Sequence, residues 1–256
     1  MKLPNALIIE PIAPEDFILG GDASLERKYG ATVLNPDADW SKYVELHEDQ
    51  STKNGDTYSC VPHGKCAAIA LLSKCLFGKT IDLSARLIAK DGGVVVGQGA
   101  SPKKMADWIR HNWSVFETEW PDVDSVEEYY ADVPGELRTL AKARGNEWEF
   151  GYQYCQSTPN AIKQAIKYSP VCIAVTAWVE KDGVYVRGPF TENHWTTVLK
   201  VYDNGDYKVL DSFAPFIKRV KPEAAQSIAM SYYLSKRVRK DNIIIQILNA
   251  IIDYLS

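Results

Sequence analysis

From Cys60 to Phe77 the chain is small or apolar almost throughout, with Ala67-Ala68-Ile69-Ala70-Leu71-Leu72 at its centre and Gly78 directly after it. A helix that lacks a polar face has to be buried on all sides. Gly78 suits the left-handed residue that commonly ends a helix. The stretch therefore predicts a central, buried helix that opens on a cysteine, with Pro62 tolerated in its first turn and Gly64 a weak spot within it.

Similar local grammar sets out the rest. Ser101-Pro102 starts a helix through Asn112, with Met105, Trp108 and Ile109 on one face. Ser157-Thr158-Pro159 opens a third over Asn160 to Tyr168, and Pro170 marks the change to a strand from Val171 to Trp178. Trp195 to Tyr202 alternates as a strand, Asp203-Asn204-Gly205-Asp206 is a hairpin turn, and Tyr207 to Leu210 returns. These elements predict an α+β fold with a helical N-terminal half and an antiparallel β-sheet C-terminal half.

At 256 residues, 46% of them hydrophobic, the chain can bury one full core. Residues 1–47, with scattered Pro, Gly and Asp, read as a mostly irregular N-terminal extension packed over the domain. Residues 48–222 are expected to form the main domain and 223–256 a C-terminal helical segment. There Ile244, Leu248, Ile251, Ile252 and Leu255 share an apolar face behind the basic run Lys236-Arg237-Val238-Arg239-Lys240. That face is expected to pack on the domain or on a protein partner, being too short for the roughly 20 residues of a membrane span.

Twenty-nine basic and 33 acidic residues, a net charge of −4, are mixed along the chain, which argues against nucleic acid as a partner. Residues 1–10 lack the long apolar region of a signal peptide. Five cysteines are too few for a disulfide scaffold and odd in number, so a reduced compartment is expected. No cofactor and no metal are expected.

Cys60 and His194 stand 134 positions apart, and Asp211 follows seventeen after the histidine. A thiol becomes a nucleophile when a helix N-terminus or an imidazolium favours its thiolate. Cys60 opens a helix, His194 can serve as its base, and Asp211 can fix the tautomer of His194. Gln50, ten residues before Cys60, can donate its amide to an oxyanion. Singly, the cysteine and the histidine have bland readings, a small buried side chain and a hydrogen-bonded edge residue. The order of all four favours a site. Hairpin register bears on it directly. A strict two-residue turn at Asn204-Gly205 would pair Asp211 with Val198, leaving Asp211 roughly 13 Å along the strand from His194 unless a bulge or an earlier turn closes the gap.

On these residues the chain resembles the papain-like cysteine peptidases, in particular the divergent short forms of bacteriophage and bacterial genomes. Gln50 with Tyr58-Ser59-Cys60 looks like the family's glutamine-then-cysteine element, and Ile81-Asp82-Leu83-Ser84-Ala85-Arg86 like its Leu-Ser-Glu-Gln stretch. Asn193-His194-Trp195 looks like its Asn-His-Ala, and Leu210-Asp211-Ser212-Phe213 like its Lys-Asn-Ser-Trp. The likeness covers about residues 45–215 and implies a two-lobed papain-like fold, peptide-bond hydrolysis through a thioester, and a peptide or protein substrate. It also implies backbone contacts to substrate at Gly97 and Gly99, where the residues by themselves read as a plain loop, and a cytoplasmic or virion-associated protein. The chain departs from the family in Val61-Pro62-His63 after the cysteine and in aspartate where asparagine is usual. Cys66, in Gly64-Lys65-Cys66-Ala67-Ala68, is a rival nucleophile that its spacing to His194 disfavours.

The leading expectation is thus a papain-like thiol hydrolase of peptide or isopeptide bonds. A catalytically silent domain with a structural or binding role, for instance in a phage particle, is the first alternative. An acyltransferase or deamidase of the same fold is the second.

Overall fold

Short-range signals set the helix ends. In this computed structural model, which describes residues 7–13, 16, 32–189, 191 and 193–237, the first α-helix among the described residues, α1, spans Cys60–Phe77 and stops at Gly78, whose φ of 69° is left-handed. Ser84 caps α2 (Ala85–Gly92) and Ser101 caps α3 (Pro102–Asn112), each by accepting a backbone N–H at 3.1 and 3.2 Å. Two further helices follow, α4 (Val126–Tyr129) and α5 (Gly135–Gly145). Thr158 then caps α6 (Pro159–Ala165).

A two-residue hairpin, β1 (Ser51–Thr52) with β2 (Gly55–Asp56), precedes α1. The main sheet has eight strands: β3 (Trp148–Cys155), β4 (Val171–Val175), β5 (Val179–Lys181), β6 (Val184–Val186), β7 (His194–Val201), β8 (Tyr207–Leu210), β9 (Ile217–Val220) and β10 (Ala225–Lys236). Their order across the sheet is β3-β10-β4-β7-β8-β9-β6-β5. α1 lies against β7, β10 and β4, and most of its residues are buried, as a helix without a polar face demands.

One core runs through helices and sheet, with a small second cluster of Leu87, Val115, Val133 and Ala141. The N-terminal extension contributes to the main core. Leu7 and Trp40 are buried in it, and the Trp40 indole N–H donates to the Ile166 carbonyl at 2.6 Å. Truncating such a tryptophan costs about 3–5 kcal/mol. Lys65 is buried on the sheet side of α1, bonded to the Tyr232 hydroxyl at 2.5 Å with its ammonium 4.8 Å from the Trp195 ring. Burial pushes its pKa down to about 7 despite the opposing pull of Cys172 and Asp107.

The mixed α+β class is as expected, with several corrections. Residues 225–236, expected in a C-terminal helical segment, form β10, a strand paired on both sides with β3 and β4. Met230 and Tyr232 turn toward α1 while Ala229 and Ser231 alternate with them and are buried too, a pattern that suits a central pleat. The apolar face at 243–255 lies outside the described residues. Helices and strands are also not cleanly divided between halves: β1 and β2 precede α1, and α6 sits between β3 and β4. α6 ends at Ala165 and β4 at Val175, short of Tyr168 and Trp178. The sheet is antiparallel apart from the β6–β9 pairing at Tyr185 and Val220.

Candidate active site

Cys60 is the first residue of α1, where unpaired N–H groups concentrate positive potential. Tyr58 just before it holds a left-handed φ of 59°, and its N–H donates to Asp56 at 2.7 Å. The Ser59 side chain does not cap the helix. Its hydroxyl is shared with Thr57 at 2.5 Å and His63 Nδ1 at 3.1 Å.

His194 opens β7, opposite Val175 of β4. Asn193 anchors the approach, its N–H bonded to Val175 O and its side-chain oxygen accepting from Ala177 N at 2.7 Å. One residue further on, Trp195 lies on Gly64 of α1, and the Gly64 carbonyl accepts from Cys172 and Thr197, both at 3.3 Å. These contacts hold α1 against β7. The Cys60 thiol and the His194 ring are hydrogen-bonded across that seam.

The hairpin register brings Asp211 into reach. Val201 pairs with Tyr207 and Lys200 with Lys208, but the next pair is Val198 with Val209. Leu199 is the extra residue of a β-bulge, and the loop of residues 202–206 is centred earlier than a strict Asn204-Gly205 turn. Continuing the register sets Asp211 across from Thr196, diagonal to His194. His194 Nε2 and Asp211 Oδ1 are 2.5 Å apart, and the Asp211 side chain is fully buried. The ring packs between Trp178 and Phe213, at centroid distances of 5.6 and 5.7 Å. Burial works to lower the His194 pKa, but the charge and hydrogen bond of Asp211, helped by Cys60, raise it to about 10. Burial likewise opposes ionisation of Asp211, and His194 and then Lys218 overcome it, holding the carboxyl below its ordinary value.

Lys218 is the residue that sequence reasoning missed. Its ammonium donates to Asp211 Oδ2 at 2.6 Å, to Phe213 O at 2.5 Å and to Pro215 O at 2.7 Å, in a buried position. Ile217-Lys218-Arg219-Val220 sets two charged residues between two apolar ones, and only the fold turns Lys218 and Val220 inward and leaves Ile217 and Arg219 exposed, so the sequence carries no mark that this lysine points inward.

Gln50 is buried next to the same loop. Its backbone N–H donates to Ser212 O at 2.9 Å, its side-chain oxygen accepts from the Ser212 hydroxyl at 2.6 Å, and its amide donates one hydrogen to Asp56 at 2.8 Å. Gly97 and Gly99 have φ of 86° and 74° and belong to a tight turn. The N–H and C=O of Gly99 both bond Val95. The turn therefore takes up the backbone groups of Gly99 that were expected to meet a substrate. The chain's own Ile8 N–H bonds the neighbouring Ala100 carbonyl at 3.0 Å.

Cys66 faces a different environment. Burial, followed by the carboxylates of Glu48, Asp82, Glu117 and Asp122, pushes its thiol well above the ordinary value, which disfavours a thiolate there. Within that acidic cluster, Glu48, His63 and Asp122 bring ligand atoms within 4.8 Å of one another. The His63 ring is already engaged by Ser59 O at 2.9 Å and Asp122 at 3.0 Å.

No protein-family model matches the chain, and no curated protein does. Solved structures do. The bromelain protease of Ananas comosus, in an inhibitor complex, is similar with a TM-score of 0.55 and 16% identity over 77% of this chain and 98% of that one. Digestive procathepsin L 3 of Tenebrio molitor larval midgut gives 0.55 and 16% over 76% and 68%. The clostridial cysteine protease Cwp84 after propeptide cleavage gives 0.60 and 13% over 77% and 57%. At these identities the likeness is one of fold, and the fold is papain-like.

Proposed function

We propose that the protein is a papain-like thiol hydrolase that cleaves peptide or isopeptide bonds through a thioester on Cys60. The observation that carries this reading is the chain of contacts from a cysteine at a helix N-terminus to His194 and on to Asp211 at 2.5 Å. His194 takes the thiol proton, the sulfur attacks the carbonyl, and the imidazolium returns the proton to the leaving amine. Water, deprotonated by the same imidazole, then releases the acyl group. The N–H of Cys60 and the second amide hydrogen of Gln50 serve the oxyanion.

Native labelling with iodoacetamide, followed by peptide mass spectrometry, tests the reading. Cys60 should react at least about 100-fold faster than Cys75, the one cysteine that is not fully buried. Replacing Cys60 by alanine should abolish hydrolysis of an unfolded protein substrate such as casein. Equal reactivity of the two thiols would overturn it. One observation favours a second reading, a catalytically silent papain-like domain: the Cys60 side chain is fully covered and His194 nearly so. A Cys60 that stays unlabelled in folded protein, but labels once unfolded in urea, would establish that reading instead.

A further inference from the structure

The ammonium of Lys218 has three hydrogens and meets three acceptors, Asp211 Oδ2 at 2.6 Å, Phe213 O at 2.5 Å and Pro215 O at 2.7 Å. The rings of Trp178 and Tyr185 stand 5.9 and 5.6 Å from it. Asp211 has no exposed side-chain surface, and its other oxygen is the one that meets His194. Sheet register puts Lys218 opposite Val209, two residues before Asp211, and the Asp211 N–H bonds Phe216 O at 2.7 Å. The loop of residues 211–216 is thereby folded around the ammonium.

We propose that Lys218 is a positioning residue of the active site, a buried cation that keeps Asp211 ionised and aimed at His194 and offsets part of the carboxylate's charge as the imidazole sees it. The role rests on the Cys60–His194 hydrolase reading. A buried carboxylate facing only an imidazole would be an unpaired charge whenever that imidazole is neutral. With Lys218 beside it, Asp211 stays ionised whether or not His194 carries a proton. The pair presents His194 with an oriented acceptor whose net charge is smaller than that of a lone carboxylate. The titratable groups that face this assembly are Cys60 from α1, His194 from β7, Asp211 past β8, Lys218 from β9 and Tyr185 from β6, with Glu180 of β5 acting on Tyr185.

Removing a positive charge makes proton binding easier at every group near it, and removing a negative charge makes it harder. The acid limb of the pH profile for Cys60 alkylation by iodoacetamide should therefore move up by at least about one pH unit in Lys218→Met, roughly a tenfold loss of rate below the limb. It should move down in Asp211→Asn and return close to the parent position in the charge-neutral double variant. Lys218→Arg should keep the limb in place even if its plateau rate falls. A ¹⁵N imidazole titration of His194 in a Cys60→Ala background should show the same ordering without any reactive thiol. An unmoved limb and titration in Lys218→Met, or a double variant that fails to return, overturns the role of Lys218. Where Lys218→Met does not fold, Asp211→Asn and the double variant decide alone. A parent protein whose Cys60 does not react overturns the hydrolase reading instead, and the imidazole titration still decides for or against Lys218.

Discussion

Replacing Gly64 by alanine isolates the seam between the nucleophile's helix and the base's strand. A Cβ at residue 64 would sit 2.7 Å from Trp195 Cδ1 and 3.3 Å from Nε1. Trp195 is fully buried and paired with Ala174 in the sheet, and the Gly64 carbonyl is held by Cys172 and Thr197, so neither side yields easily. An alanine gains about 1 kcal/mol in helix propensity. Overpacking a tight core site costs about 1–3 kcal/mol. The balance is a loss of about 1 kcal/mol, or roughly 2–4 °C in Tm for a chain of this size.

Restoring ordinary contact requires a displacement of about 0.7 Å between α1 and β7. Cys60 lies one turn before Gly64 on the same face, so the displacement reaches the thiol–imidazole contact. A misplacement of this order should slow alkylation of Cys60 by roughly 10- to 100-fold. Gly92→Ala is the internal comparison. Its Cβ would meet the flexible end of Met105, Sδ at 2.6 Å and Cε at 3.0 Å, with Trp108 at an ordinary 3.7 Å, and the variant should be near neutral in stability and unchanged in thiol reactivity. Urea unfolding and timed iodoacetamide labelling of the two variants give both readouts. Equal or greater stability of Gly64→Ala, with parental thiol reactivity, would refute the reasoning.

Stability should also depend on pH through His194. Its folded pKa of about 10 lies above the ordinary 6.5, so the stability it contributes is complete below pH 6.5 and disappears as pH rises through about 10. Asp211, held below its ordinary 3.8, contributes above that value and loses its contribution as pH falls through its lowered folded pKa. The difference in urea midpoint between Cys60→Ala and Cys60→Ala/His194→Gln should accordingly shrink toward zero between pH 6.5 and 10, and a difference that grew over this range would contradict the His194–Asp211 pairing. Deleting Leu199 should cost about 2–5 kcal/mol for the lost buried side chain. The same deletion removes only the extra residue of the bulge, so the Lys200–Lys208 and Val198–Val209 pairs become consecutive and Asp211 stays beside His194. Thermal unfolding and the alkylation profile of the deletion protein check both effects, and a shifted acid limb would contradict this register.

What the sequence revealed follows the range of the forces involved. The ends of α1, α2 and α3 were legible because Gly78, Ser84 and Ser101 act within one turn of the residues they terminate or cap. The order of Gln50, Cys60, His194 and Asp211 was legible because side-chain chemistry is a property of residue type. Leu199 as a bulge was not, since nothing local distinguishes it from its strand neighbours. β10 was hidden because its two-sided burial exists only once β3 and β4 flank it, and Lys218 because its inward direction depends on the loop that wraps it. Gly97 and Gly99 were recognisable as turn glycines, but sequence could not say that Val95 would occupy the backbone groups of Gly99.

The position of β10 in the sheet bears on the timing of folding. β3 joins the sheet only through β10, which is the last strand of the described chain and inserts between β3 and β4. During synthesis, residues 148–155 emerge long before the strand that gives them a hydrogen-bonding partner, and β4 stays open on one edge until that same strand arrives. α1, which packs on β10, lacks part of its floor for the same interval. A chain stalled before residue 225 would expose two unpaired strand edges and a helix apolar on every side, which is the state that chaperones engage and aggregation exploits. Assembly of the thiol and the imidazole is in this way deferred until residues 225–236 have emerged, and a product cut before them carries the residues of the site without the site itself.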